Sequence, residues 1–148
     1  MIRLTQEEAD TLLGMEKRRL SDKVFSFPLH GQKSALPLQS IDGLESFLLD
    51  LSRGRDNEIR VKMQTRARKE IPLARLDIGG RPHRNDDGTV VLSPHLHLYK
   101  EGFHDRWAMS PPSDWFTNLE DIPVTLRDFM RFCNIVEPPK IWLQGGLI

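Results

Sequence analysis

Between residues 71 and 99 the sequence IPLARLDIGGRPHRNDDGTVVLSPHLHLY places three of the chain's five histidines beside an arginine–aspartate pair. Histidine titrates near neutral pH, so two of them can divide the work of a general acid and a general base. Arginine presents a planar fork of donors that matches phosphate oxygens, and an aspartate can orient either group. Cleavage of RNA without a metal needs those parts: a base for the ribose 2′-hydroxyl proton, an acid for the leaving 5′-oxygen, and positive charge over the phosphorane. The candidate catalytic residues are His95, His97, Arg75, Asp77 and His83.

These residues need two strands to hold them. Ile71–Ile78 is an apolar run stopped by Gly79-Gly80, and Thr89–Tyr99, after the turn Asp86-Asp87-Gly88, reads as a second strand. Side chains alternate between the faces of a strand. Arg75 and Asp77 then oppose Ala74, Leu76 and Ile78, while His95, His97 and Tyr99 oppose Leu96 and Leu98. His95 and His97, two residues apart, lie roughly 7 Å apart at the backbone. Antiparallel pairing of the two strands would bring all four polar groups to one patch, with His83 reaching over it from the loop.

The same residues admit other readings. An HxH pair with a third histidine and a carboxylate is a ligand set for zinc or a related ion, with Asp77 or Asp105 as the oxygen ligand and His104 as a spare nitrogen. Arg75 would repel a cation there, so no metal or other cofactor is expected. Alternatively the histidines are half-exposed polar residues on an outer sheet face. The chain would then be a non-enzymatic interaction protein of phage or mobile-element origin, docking through its tryptophans and apolar tail. P-loop, GxGxxG, HExxH, CxxC and GxSxG motifs are absent from the sequence.

The 148 residues, 39% hydrophobic and 28% charged, suit one soluble domain with a real core. No apolar run reaches the roughly 20 residues that span a bilayer, the N-terminus has no apolar signal core, and the single cysteine, Cys133, excludes an internal disulfide; a cytoplasmic protein is expected. Net charge is zero, but residues 52–86 hold ten Lys/Arg against five Asp/Glu, a local +5. Arg60, Lys62, Arg66, Arg68, Arg81 and Arg84 fall in this basic excess and are the candidate RNA-binding residues.

The remaining elements follow from local pattern. Thr5–Arg19 reads as a helix with a Thr5/Glu8 capping box and Lys17, Arg18 and Arg19 in its last turn, where cations suit the macrodipole. Lys23–Leu29, Ser34–Ile41, Leu44–Ser52 and Glu58–Lys69 read as strands, the last with a basic outer ribbon; turns fall at His30-Gly31, Asp42-Gly43 and Asp56-Asn57. Asp105–Met109 is a short final strand. A helix capped by Asn118 or Asp121 runs to about Phe132, with Pro123 in its first turn and Cys133 in its buried stripe. The apolar tail is expected to bury Trp142 and Leu143, either within the domain or between two copies. The fold expected is α+β: a mostly antiparallel sheet of five to seven strands with an N-terminal and a C-terminal helix.

Through ARLDIGGRPHRNDDG, PHLHLYKEGF and LRDFMRFCNI the chain resembles a widespread bacterial family of this length that carries little assigned function. It is also similar, more narrowly, to the TumE-type toxins of bacterial toxin–antitoxin systems. Those have an arginine-x-aspartate strand, a proline-histidine loop, a second proline-histidine cluster and then a helix. The matching positions here are Arg75 and Asp77, Pro82 and His83, Pro94 with His95 and His97, and Val124–Phe132. That resemblance implies a small ribonuclease with a cognate antitoxin as its protein partner.

Overall fold

The alternation of apolar and polar residues between positions 33 and 78 produces a four-strand antiparallel meander in the protein's structure, a computed structural model that describes residues 3–55 and 59–148. In chain order the elements are α1 (Gln6–Gly14), β1 (Lys17–Arg19), β2 (Val24–Ser26), β3 (Lys33–Ser40), β4 (Ser46–Arg53), β5 (Val61–Ala67), β6 (Ile71–Ile78), β7 (His83–Arg84), β8 (Val90–Val91), β9 (His95–Leu98), β10 (Ala108–Met109), α2 (Ile122–Phe132), β11 (Ile135–Glu137), β12 (Lys140–Leu143) and β13 (Gly146–Leu147). The Asp56-Asn57 turn and Glu58, the expected first residue of its strand, lie outside the described residues.

The main sheet has eight strands among the described residues, in the order β10-β9-β6-β5-β4-β3-β1-β11. Every pairing is antiparallel except β1 with β11. Two small sheets accompany it, β13-β12-β2 and the hairpin β7-β8. The strand number exceeds the expected five to seven because β1 and β11, each three residues long, are too short for alternation to register.

Register sorts the residues onto two faces. Leu49, Thr65, Ala74 and Leu98 form one row across four strands, and Leu51, Met63, Leu76 and Leu96 form the next row on that face. With Leu36 and Leu38 the buried apolar members of these rows form one core cluster, against which Leu98 packs and to which α1 adds Ala9 and Leu12 and α2 adds Leu126, Phe129 and Met130. Each fully buried Leu, Phe or Met side chain contributes about 1.5–3 kcal/mol. The opposite face carries the rows Asp50–Gln64–Arg75–His97 and Ser52–Lys62–Asp77–His95.

Three expectations are corrected. The first helix stops at Gly14, not Arg19, and Lys17–Arg19 form β1. Lys17 still serves helix ends, but by reaching back from the strand: its wholly buried Nζ donates to the carbonyls of Leu13 (2.7 Å), Met15 (2.8 Å) and Cys133 (2.7 Å). Those are the C-terminal carbonyls of both helices, which lack intrahelical donors. The Phe47 ring lies 4.8 Å from the same Nζ. Secondly, Thr89–Tyr99 is two strands, β8 and β9, broken at Leu92–Pro94, where the 93–94 peptide bond is cis. Thirdly, β12 alternates so that Ile141 and Leu143 are buried while Trp142, 50% exposed, is not buried within the domain. The second helix is capped by Asp121, whose carboxylate accepts from the Val124 N–H, with Pro123 in the first turn as expected. Cys133 is buried in the core, and burial pushes its thiol up to about 11.

Candidate functional site

The pairing of β6 with β9 is antiparallel and sets Arg75 opposite His97 and Asp77 opposite His95. The four side chains expected to converge do so, because both strands carry their polar residues in the same parity. Asp77 sits at the centre. Its Oδ1 accepts from Arg75 Nε at 2.8 Å and its Oδ2 from Arg75 Nη2 at 3.2 Å. The same Oδ2 lies 3.4 Å from His95 Nε2 and 3.5 Å from His97 Nε2. Arg75 Nη1 donates to the Asp105 carboxylate at 3.0 Å.

The cluster is secluded: His95 is 4% and His97 2% exposed. What covers it is the β7-β8 hairpin, which brings His83 over the sheet. The His83 ring centroid stands 4.7 Å from that of His97 and 5.8 Å from that of His95, and the two strand histidines are 5.0 Å apart. Two contacts hold the hairpin. His83 Nε2 donates to the Arg106 carbonyl at 2.7 Å. Asn85, buried, donates through Nδ2 to the Ala108 carbonyl and accepts through Oδ1 from the Ala108 N–H, both at 2.8 Å. An amide side chain with one donor and one acceptor pairs there with edge strand β10 as a backbone unit would. Asn85 was not among the candidate residues. Its only local signal, an Asn opening an Asn-Asp-Asp-Gly turn, points to turn chemistry, and its tertiary role has no sequence signature.

Electrostatics follow from seclusion and pairing. Burial alone would raise the Asp77 carboxyl, but the His97 and Arg75 contacts outweigh it and hold the group well below the ordinary carboxylate range. Burial pushes the His95 imidazole below its ordinary value; the Asp77 carboxylate partly offsets this, and the neighbouring His97 and His83 add to it. Asp77 is thus ionised and His95 neutral at pH 7.

The cluster forms one wall of a cleft of about 540 Å³. Its other lining comes from the ends of β4 and β5 and from the Gly79–Pro82 loop, so that Arg53, Arg60, Lys62, Arg75 and Arg81 face a space to which, among the described residues, Asp77 alone adds a carboxylate. Gly79 shapes the rim: at φ +81° it passes so close to β5 that a Cβ would fall 1.7 Å from the Ile59 carbonyl oxygen. Of the six residues grouped as a basic ribbon, Arg60, Lys62 and Arg81 line this cleft. Arg66 and Arg68 do not: Arg66 pairs with Asp50 (2.6 Å) and Arg68 with Glu45 (2.7 Å), both acids of β4 or the turn before it. Arg84 is exposed on β7, outside the lining. Of the spare ligands weighed from sequence, Asp105 turns its carboxylate to Arg75, and His104 packs its ring against Tyr99 at 6.0 Å.

The chain belongs to a family of unknown function (DUF6978), whose model matches residues 4–135. No curated protein and no solved structure matches it. The matched span holds every residue of the cluster and ends before β12 and β13. Among the described residues, no helix is long and apolar enough to cross a membrane.

Proposed function

We propose that the cleft binds single-stranded RNA and cleaves its phosphodiester backbone. The observation that carries this reading is the lining, in which five cations and three histidines face one concavity with, among the described residues, a single carboxylate. Backbone phosphates bind along Arg53, Lys62 and Arg81. Arg75 has three of its nitrogens committed to Asp77 and Asp105, so it holds the carboxylates in place and adds positive charge behind them. In the reaction the 2′-oxygen loses its proton and attacks phosphorus, and the bond from phosphorus to the 5′-oxygen breaks. That oxygen takes up a proton, which leaves a 2′,3′-cyclic phosphate and a 5′-hydroxyl. The Asp77–His95–His97 cluster at the floor activates the attacking oxygen. His83, half-buried at the mouth with Nε2 engaged by Arg106, exchanges the leaving-group proton through Nδ1. The order of motifs shared with TumE-type toxins supports the further reading that the protein is the toxin of a pair and that an antitoxin is its protein partner.

Binding of a fluorescent single-stranded RNA and cleavage of total RNA test this reading. If Arg53, Lys62 and Arg81 each neutralise one phosphate, log Kobs falls with log[salt] at a slope of about −2. Lys62→Ala with Arg81→Ala flattens the slope, and His83→Ala lowers the cleavage step by about 10²–10⁴. RNA that stays unbound and uncut by wild-type protein at low salt ends the reading.

One observation favours a second reading, a protein-docking role. Trp142, its cross-strand neighbour Leu147, and Val24 on the adjoining β2 are each about half exposed on the small sheet. Trp142→Ser would abolish partner capture there and leave RNA binding unchanged.

A further inference from the structure

We infer that Asp77, His95 and His97 are the ligands of a divalent transition-metal ion of the zinc class. The inference rests on the reading above for its substrate and says how the floor cluster activates oxygen; the site itself is argued from geometry alone.

The first observation is spacing. One ligand atom from each of the three residues lies within 4.8 Å of the other two. A tetrahedral ion bound at roughly 2.0–2.2 Å separates its ligand atoms by about 3.4 Å. Asp77 Oδ2 stands 3.4 Å from His95 Nε2 and 3.5 Å from His97 Nε2, which are the edges such an ion requires. Both separations are too long for good N–H···O bonds.

The second observation is an unsatisfied buried nitrogen. His97 Nδ1 is 2.8 Å from the Asp105 carbonyl, which accepts hydrogen bonds only, so Nδ1 carries a proton. Its Nε2 is aimed at the Asp77 carboxylate 3.5 Å away and is buried without a hydrogen-bond partner, on a side chain 2% exposed. A buried polar atom left without a hydrogen bond costs free energy unless a ligand engages it. A metal-ligating histidine held by a carbonyl at its other nitrogen is the usual support for such a site. His95 Nδ1, also buried, has no hydrogen-bond partner, so no protein bond competes for the orientation of that ring.

Arg75 is no obstacle. Its single charge is shared by two carboxylates, Asp77 and Asp105, so the group that faces the ion keeps a net charge of −1. Three protein ligands leave a fourth position open, the pattern of catalytic rather than structural zinc. That position belongs to a water or a phosphate oxygen, in a cleft that His83 and the lining cations already share.

The test is metal titration of the whole protein after chelator treatment, with zinc by calorimetry and cobalt by visible absorption. We expect one ion per chain, a tetrahedral cobalt spectrum, and a zinc-dependent rise in melting temperature. Asp77→Asn and His97→Gln should each weaken zinc binding at least 100-fold, while His30→Ala on an exposed turn leaves it unchanged. Circular dichroism of each variant separates loss of the site from loss of the fold; if either variant unfolds, the wild-type stoichiometry and cobalt spectrum decide. Absent binding, or binding that Asp77→Asn and folded His97→Gln leave intact, overturns the inference. RNA cleavage that persists in chelator with no zinc bound rejects the ion and keeps the proposed function. Stoichiometric zinc with no RNA cleavage keeps the ion and rejects the function.

Discussion

Replacing Lys17 by methionine removes an ammonium that serves both helix ends. Its Nζ satisfies three carbonyls, a buried one of Cys133 and part-buried ones of Leu13 and Met15. A buried acceptor left unpaired costs about 1–3 kcal/mol, so three cost roughly 6 kcal/mol. Against this stands the burial of the charge, which pushes the Lys17 ammonium down from 10.5 to about 8. At about 1.36 kcal/mol per pKa unit that burden is roughly 3 kcal/mol, and methionine relieves it. The net loss for Lys17→Met at pH 7 is therefore about 3 kcal/mol, a fall in Tm of roughly 6–12 °C for a chain of this size. The pH dependence has a definite sign. Below pH 8 both folded and unfolded lysine are protonated and the burden is fully present. Between pH 8 and 10.5 the unfolded chain binds a proton that the folded one has released, so the stability of the wild type rises relative to the variant. The gap should widen from about 3 to about 6 kcal/mol across that window. Urea denaturation of both proteins at pH 7, 8, 9 and 10.5 measures it. A variant as stable as wild type at pH 7, or a gap that narrows with rising pH, refutes the reasoning.

Other outcomes can be checked with the same assays. Gly79→Ala sets a Cβ against the Ile59 carbonyl at positive φ; strain from φ alone is about 1–2 kcal/mol, and the Tm should fall further than that implies because backbone must move. Asn85→Ala strips the Ala108 N–H and carbonyl of their partners. Stability should drop by about 1–3 kcal/mol, and amide exchange at His83 and Arg84 should speed up as the hairpin lifts; unchanged exchange would mean that Asn85 does not hold it. Trp142→Ser, on an exposed position, should change stability by no more than about 0.5 kcal/mol.

The chemistry-bearing stretch was legible because it depends on parity. Arg75 and Asp77 on one strand, His95 and His97 on another, and a glycine-bounded loop between them can meet in only a few ways, and antiparallel pairing is the simplest. The meander of β3–β6 was legible for the same reason. What escaped was set by distant partners. Lys17 looks like a helix-end cation in local sequence, yet one of the carbonyls that it serves is 116 residues away. Arg66 and Arg68 look like a binding ribbon until β4 supplies Asp50 and β4's preceding turn supplies Glu45. The break that separates β8 from β9 falls inside a run of strand-forming residues.

The parallel pairings at the rim of the fold carry a consequence for how the chain is made. β3 to β6 find their neighbours within a few residues of chain, so this hairpin array can close while synthesis is still under way. β1 and β2 cannot finish: β1 awaits β11 and β2 awaits β12, each more than a hundred residues downstream. Until those strands leave the ribosome, the Lys17 ammonium lacks its Cys133 carbonyl, β1 has one bare edge and β2 lacks its strand partner. The nascent protein therefore has an early, nearly self-sufficient centre and a late rim, and proteases and chaperones meet the rim first. In a pulse of limited proteolysis during refolding, cuts near residues 17–26 should be the last to become protected.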